Sequence, residues 1–460
     1  MVDRGIFKAY DIRGVVGKTL TVDAVRAVGA ALGRRARAAG VRETVVGRDG
    51  RLSGPELAGA LSEGFRDAGV SVVDIGMVTT PIVYYATYEL GTGTGVAVTG
   101  SHNPPDYNGL KMVVAGEALY GDAITALGDE VIGGGAPAVA PGERGGLREA
   151  SVGERYLARV TGDIRLARPM KIAIDCGNGV AGAFAPELFR RIGCEVVELF
   201  CDVDGTFPNH HPDPAHPENL QDLIRCLRET DAEIGLAFDG DGDRLGVVTK
   251  GGQIIFPDRQ LMLLAEEVLA RHPGAQIIYD VKCTRNLDAW VRARGGEPLM
   301  WRTGHSLVKA KLRETGAPLA GEMSGHIFYK DRWYGFDDGL YAGARLLEIL
   351  SRHANPSAVL EALPDSPTTP ELQLRTAEGE NFALVEALRA NARFDGAQRT
   401  ITIDGVRVEY ADGFGLARPS NTTPVVVLRF EADTPEALAR IQGEFRRAIH
   451  AVRPGIALPF

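Results

Sequence analysis

Three times along this chain an apolar run of strand length stops in a polar loop: VVGRD at 45–49, IAIDCGNG at 172–179 and IIYDVKCT at 277–284. Each lies in an alternation of helix-like and strand-like segments. In the first stretch an amphipathic helix is expected over 22–39, a strand over 44–51, a helix over 55–68 and a strand over 71–76. A short buried strand, GVAVTG, follows at 95–100. Strands that alternate with helices are joined by crossovers, so they lie side by side in a mostly parallel sheet. The pattern restarts twice. After a Gly/Pro/Ala-rich linker or loop at 133–146, a helix near 151–161 precedes the strand at 171–179. A helix over 258–271 precedes the strand at 276–284. The repeated outline points to three related α/β units. The tail departs from it. PDSPTTP at 364–370 breaks the chain, and RTITIDGVRVEY at 399–410 alternates apolar and polar residues around Asp404-Gly405, a hairpin signal. A strand at 425–430 and a closing helix at 435–452 complete an α+β unit. Four domains are expected, at 1–149, 150–253, 254–366 and 367–460.

Charge and composition narrow the function. The net charge is −9 and the sequence pI about 5.6, which disfavours nucleic acid as a partner, because a phosphate backbone selects a basic face. A small anionic substrate in a local basic pocket remains compatible. No apolar stretch approaches the ~20 residues of a membrane span, and MVDRGIFKAYDIRG lacks the apolar core of a signal peptide, so a cytoplasmic protein is expected. The five cysteines are odd in number and form no CxxC pair, which points to reduced thiols rather than a disulfide framework or zinc site.

The sharpest motif is DGDGDR at 239–244, directly after the apolar run IGLAF. Asp239, Asp241 and Asp243 can converge on one hard cation, with glycines letting the backbone wrap closely. An EF-hand needs Gly and Glu where this chain has Arg244 and Lys250, so that alternative fails. Few carboxylates completed by a phosphate oxygen suit the octahedral preference of magnesium. In TGSHNPPDYNGLK at 99–111, Ser101 follows a buried strand and can be a nucleophile, a phosphate-bearing group or a turn residue. His102 is its neighbour, and Lys111, in a chain with few lysines, is a candidate proton donor or phosphate contact. In AGEMSGH at 320–326, Glu322 and Ser324 can read neighbouring sugar hydroxyls and His326 can act as acid or base, unless the segment is only a polar loop. In ARPSNTTP at 417–424, Arg418, Ser420, Asn421 and Thr422 can cradle a phosphate or form a Pro-bounded turn. Tyr10, Arg13, Lys282 and His305 lie in further polar segments that are individually more often structural. NHHPDP at 209–214 looks metal-like, but adjacent histidines seldom face one ion, and a structural turn is expected. GVVGKT at 14–19 has the wrong spacing for a Walker loop, GTGTG at 91–95 lacks the third glycine of a dinucleotide fingerprint, and neither Ser101 nor Ser324 sits in GxSxG.

With these motifs in order from KAYDIRG to RPSNTTP, the chain resembles the α-D-phosphohexomutase superfamily, within it the bacterial phosphomannomutase/phosphoglucomutase branch. The resemblance implies an α/β fold of four domains around a central cleft, three related units with mixed sheets plus a C-terminal α+β domain. It implies Ser101 as the phosphoserine, with Asp239, Asp241 and Asp243 and a phosphoserine oxygen holding one Mg2+. Arg244 would stabilise the transferring phosphoryl group beside His102, while Lys111 and His326 would be candidates for proton transfer. Glu322 and Ser324 would read the sugar, Arg418, Ser420, Asn421 and Thr422 would clamp the distal phosphate, and Tyr10, Arg13, Lys282 and His305 would add contacts. The implied reaction interconverts hexose 1-phosphate and hexose 6-phosphate through a hexose 1,6-bisphosphate, with glucose 1,6-bisphosphate as activator or intermediate, in a monomer. A phosphoglucosamine mutase or a phosphopentomutase-like relative is the alternative inside the family. A magnesium-dependent sugar-phosphate phosphatase or a sugar-phosphate binding protein is the alternative outside it.

Overall fold

The computed structural model describes residues 2–134, 138–377, 379–421 and 423–460. Thr422 and residues 135–137 of the expected linker lie outside them.

Four sheets follow one another along the chain. The first has the order Ile12–Val15, Tyr107–Val114, Gly95–Val98, Glu43–Arg48, Ser71–Met77 and Leu147–Glu149, with a short strand at Glu117–Ala118 pairing Tyr107–Val114. The second runs Ile254–Ile255, Leu245–Thr249, Ile234–Phe238, Met170–Asp175, Cys194–Leu199. The third runs Glu297–Trp301, Gln276–Asp280, Leu319–Gly321, Ile327–Tyr329. The central strands of the first three sheets are parallel and buried on both faces, which is why VVG, IAI and IIY read as continuous apolar runs.

The sheets are mixed, as the resemblance implies. In each unit the last parallel strand turns back into an antiparallel neighbour: Gly95–Val98 into Tyr107–Val114, Ile234–Phe238 into Leu245–Thr249, Leu319–Gly321 into Ile327–Tyr329. Beside that hairpin the three sheets share one order, with the first parallel strand next to the last and the second beyond it. The three apolar runs VVG, IAI and IIY therefore occupy the same place in three copies of one layout. The three connecting loops, 99–106, 239–244 and 322–326, contain Ser101, the three aspartates, and Glu322 with His326. One strand lies where only a loop was expected. Tyr107–Val114 includes Lys111, whose side chain is buried beside Ala97 of the neighbouring strand.

The fourth sheet is antiparallel throughout, in the order Leu372–Arg375, Val425–Ala432, Gly413–Pro419, Val406–Tyr410, Arg399–Ile401. The hairpin turns at Asp404-Gly405 as expected, and helices Glu380–Asn391 and Pro435–Val452 pack on the sheet through Leu384, Leu388, Ile441 and Phe445. No helix among the described residues is long and apolar enough to cross a membrane.

Candidate active site

The serine loop and the aspartate loop meet at the boundary of the first two units. Ser101 has φ +49°, a left-handed conformation that costs a residue with a side chain roughly 1 kcal/mol or more, so the surroundings must enforce it. Buried groups from the neighbouring strand end do so. Asp49 accepts hydrogen bonds from the Thr99 hydroxyl (2.8 Å) and the Gly100 amide (3.1 Å), and Arg51 donates to the carbonyls of Ser101 (2.8 Å) and Tyr107 (2.9 Å). Arg13 adds a bond to the Gly100 carbonyl at 2.9 Å. The result turns the Ser101 hydroxyl onto Asp239, 3.1 Å from Oδ2. Gly240 makes this approach possible, since a Cβ there would lie 2.3 Å from the Ser101 carbonyl oxygen.

Asp239, Asp241 and Asp243 are fully buried, with one carboxylate oxygen of each within 4.8 Å of the other two. Gly242 (φ +77°) lets the loop curl so that the amides of Gly242, Asp243 and Arg244 all donate to Asp239 Oδ1, at 3.1, 3.1 and 3.2 Å. Lys111 reaches Asp241 (2.9 Å) and Asp243 (2.5 Å), and the Thr80 hydroxyl reaches Asp241 at 2.6 Å. At an effective dielectric of about 20, two carboxylates about 4 Å apart repel by about 4 kcal/mol, so one lysine cannot settle three of them. The ionisation pattern reflects this. Burial, then Asp241 and Asp243, push Asp239 well above the usual carboxylate range. Burial opposes the charge on Asp241, but Lys111 and Thr80 outweigh it and hold its pKa low. Burial likewise works against the Lys111 ammonium, and Asp241, Asp243 and Asp239 more than compensate. Two further oxygens, Asp241 Oδ1 and Asp243 Oδ1, are buried without a hydrogen-bond partner. Orphaned anionic oxygens beside a buried serine hydroxyl fit a hard divalent cation.

Arg244 leaves this loop toward the third unit. Its Nε donates to His326 Nε2 at 3.1 Å, and the backbones join where the Leu245 amide donates to the Gly325 carbonyl. His326 Nδ1 lies 3.0 Å from Asp337, which also pairs with Lys309 at 2.8 Å. Burial and then Lys309 hold His305 well below the ordinary histidine value, so it is neutral; its ring lies 5.6 Å from that of His326. Glu322 accepts from the Gly304 amide at 2.6 Å and from Ser324 at 3.2 Å, and burial raises its pKa.

The fourth-unit loop that carries Arg418 and Asn421 meets the first unit at Tyr10. The Tyr10 hydroxyl donates to the Thr303 carbonyl at 2.8 Å, accepts from Arg418 at 3.2 Å and meets the Asn421 amide. Burial, despite Arg418, pushes this phenol up to about 12. Arg418 is oriented by Asp404 at 2.6 Å, and Ser420 shares a hydrogen bond with Thr423 at 3.0 Å. Lys282 is tied to Glu371 at 2.6 Å rather than to any predicted site residue.

Most predicted residues thus fall into a buried transfer cluster (Ser101, Lys111, the three aspartates, Arg244, His326, with Arg13 on the serine loop) and a second group from Tyr10 to Asn421 linked through His305 and Glu322, while His102 faces Asp213 and Lys282 joins neither. Thr422 lies outside the described residues. Sequence reading missed Asp49, Arg51, Thr80, Asp337, Lys309 and Asp404, which act on the predicted residues and carry no motif of their own. Of the NHHPDP turn, His210 binds Asp175 (3.0 Å) and His211 lies with His102 and Asp213, so the two histidines do face apart.

Comparison with known proteins agrees with this geometry. Family models described as phosphoglucomutase/phosphomannomutase alpha/beta/alpha domains I, II and III match residues 4–131, 154–252 and 256–366, and the C-terminal domain model of that family matches 371–448. The chain is 57% identical over 459 residues to a phosphoglucomutase of Neisseria meningitidis, covering 100% of this chain and 99% of the relative. It is 54% identical over 456 residues to a phosphomannomutase/phosphoglucomutase of Pseudomonas aeruginosa, covering 99% and 97%. A crystal structure of a phosphoglucomutase/phosphomannomutase family protein from Burkholderia thailandensis superposes with a TM-score of 0.95 at 64% identity, covering 100% of both chains. The chain belongs to the phosphoglucomutase/phosphomannomutase family of the α-D-phosphohexomutase superfamily.

Proposed function

We propose that the chain is a phosphomannomutase/phosphoglucomutase that interconverts hexose 1-phosphate and hexose 6-phosphate through a phosphoserine at Ser101 and a hexose 1,6-bisphosphate. The observation that carries this is the buried Ser101 hydroxyl, held by a left-handed backbone 3.1 Å from the first of three clustered aspartates. A binding protein needs neither the strained serine nor the unneutralised carboxylates.

The four units, taken at 1–149, 150–253, 254–366 and 367–460, divide the work. Asp239, Asp241 and Asp243, with an oxygen of phosphorylated Ser101, would hold one Mg2+, which when bound supplies charge stabilisation at the phosphoryl group. The chain's residues position the rest. A hexose 1-phosphate enters with its phosphate on Arg418, Ser420, Asn421 and Thr422 and its hydroxyls on Glu322 and Ser324. The C6 hydroxyl attacks phosphorus, the bond from phosphorus to Ser101 Oγ breaks, and the hydroxyl proton leaves to a base. His326 is the candidate for that proton, which it takes on Nε2 when Arg244 turns from that nitrogen to the phosphoryl group. Lys111, whose proton is stabilised by two aspartates, serves charge balance better than proton transfer. Arg244 faces the developing charge. The bisphosphate then turns end for end, and the C1 phosphoryl returns to Ser101 Oγ. Tyr10, Arg13, Lys282 and His305 complete the substrate surroundings. All these groups come from one chain, so a monomer suffices.

The test is a phosphorus NMR time course with magnesium and a trace of glucose 1,6-bisphosphate. Conversion of mannose 1-phosphate and glucose 1-phosphate to their 6-phosphates is expected. Conversion of glucosamine 1-phosphate alone would reassign the substrate, and release of inorganic phosphate alone would overturn the mutase reading.

A further inference from the structure

The NHHPDP turn is absorbed neither by the metal cluster nor by the sugar contacts, yet it touches the residue next to the serine. His102 Nδ1 lies 2.8 Å from Oδ2 of Asp213, which is 4% exposed. We propose that Asp213 is a positioning residue for phosphoryl transfer: it fixes the ring of His102, the residue next to Ser101, with its proton on Nδ1 and Nε2 unprotonated. This rests on the phosphoserine reading of Ser101.

The carboxylate is not free to turn. Its Oδ1 accepts the Ala215 amide at 3.0 Å, while its own backbone is tied by the Asp213 amide to the His211 carbonyl (2.8 Å) and by Asn219 to the Asp213 carbonyl (2.9 Å). The turn is anchored at both ends of the aspartate loop's surroundings. His210 Nε2 binds Asp175, at the end of the strand Met170–Asp175, and the Pro212 carbonyl accepts the amide of Gly240. Asp213 therefore moves with the aspartate loop, while His102 belongs to the serine loop. Their contact sets the ring of one unit by the frame of the other. A ring nitrogen this close to a carboxylate oxygen carries a proton, which makes the opposite nitrogen the unprotonated one in neutral imidazole. This is the logic by which a buried aspartate selects a histidine tautomer in hydrolytic triads. Arg244, 3.9 Å from Oδ1, and His216, 3.8 Å from Oδ2, are both too far for a hydrogen bond, so His102 is the nearest basic side chain.

The decisive variant is Asp213→Asn. The Ala215 amide keeps the amide oxygen at the Oδ1 position, so the NH2 group faces His102 Nδ1 and moves the ring proton to Nε2. Steady-state kinetics should show kcat falling about 100-fold, with KM within about threefold of the parent. In a His102→Gln background the same substitution should change kcat by less than about threefold. Equal losses in both backgrounds, or unchanged kcat in the single variant, would overturn the proposal. Long-range nitrogen–proton NMR of the full chain labelled with 15N-histidine, assigned with His102→Gln, reads the tautomer independently of folding of the Asn variant. Nδ1–H at His102 in the parent supports the proposal, and Nε2–H refutes it. Phosphoenzyme formation is followed in parallel with labelled glucose 1,6-bisphosphate. If the parent never acquires label at Ser101, the phosphoserine reading has failed, whatever the tautomer.

Discussion

The serine and aspartate loops are locked together by buried backbone and charge, whereas the fourth-unit loop reaches the site with side chains that meet at one phenol. Thr80 donates its amide to the Asp241 carbonyl at 3.0 Å, Gly240 lies against the Ser101 carbonyl, and Lys111 crosses from the first sheet to two aspartates of the second unit. Against this, Arg418 and Asn421 meet the first unit at the Tyr10 hydroxyl. The difference matches two tasks in the proposed cycle. The transfer end must present one geometry to both half-reactions. The distal end must hold a phosphate, let it go while the bisphosphate turns, and hold the other. Damage at the first end should therefore appear in kcat and folding, and damage at the second in KM.

The largest effect expected is from Ser101→Ala, which should lower kcat/KM by about 10⁴-fold or more while leaving the fold intact, as judged by circular dichroism and thermal melting. Lys111→Met should next remove about 3–5 kcal/mol of stability in urea unfolding without divalent cation, because it strands buried carboxylates. Added magnesium should restore part of that loss in the variant and stabilise the parent less. Arg418→Lys at the other end keeps the charge but loses the planar fork, so KM should rise about 10-fold with kcat within about threefold. A kcat loss as large as that from the inner cluster would break the comparison. The smallest effect is on stability against pH. Burial raises Asp338 from its ordinary 3.8 to about 7, although the Tyr341 amide and Tyr156 hydroxyl favour its charged form. A raised carboxyl takes up a proton on folding, so this group's contribution falls as pH rises from about 4 to about 7. Asp338→Asn should gain stability relative to the parent across that window and level off above it, measured by urea unfolding at stepped pH.

What the sequence revealed follows the same division. The three central strands were legible because burial on both faces makes VVG, IAI and IIY uniformly apolar. DGDGDR was legible because three carboxylates in one tight loop need a partner that the loop itself lacks. Lys111 was singled out but placed on a loop, since NGLKMVV begins in a polar segment and its antiparallel pairing is a non-local fact. Asp49, Asp213 and Asp337 were not legible as site residues. Each is an ordinary acid in its own segment and gains its role only when the fold brings it to Gly100, His102 or His326. The repeat was visible only as an outline. Its stronger evidence is the shared strand order and the placing of three site loops in the same hairpin, which depends on pairing rather than on composition.

The most direct test of the central claim is a peptide map by mass spectrometry after brief exposure of the full chain to glucose 1,6-bisphosphate and magnesium. The account predicts one phosphoryl group per chain, located at Ser101, and its loss when hexose 1-phosphate is added. Isomerisation that proceeds with Ser101 unmodified, or with the phosphoryl group on another residue, would contradict it.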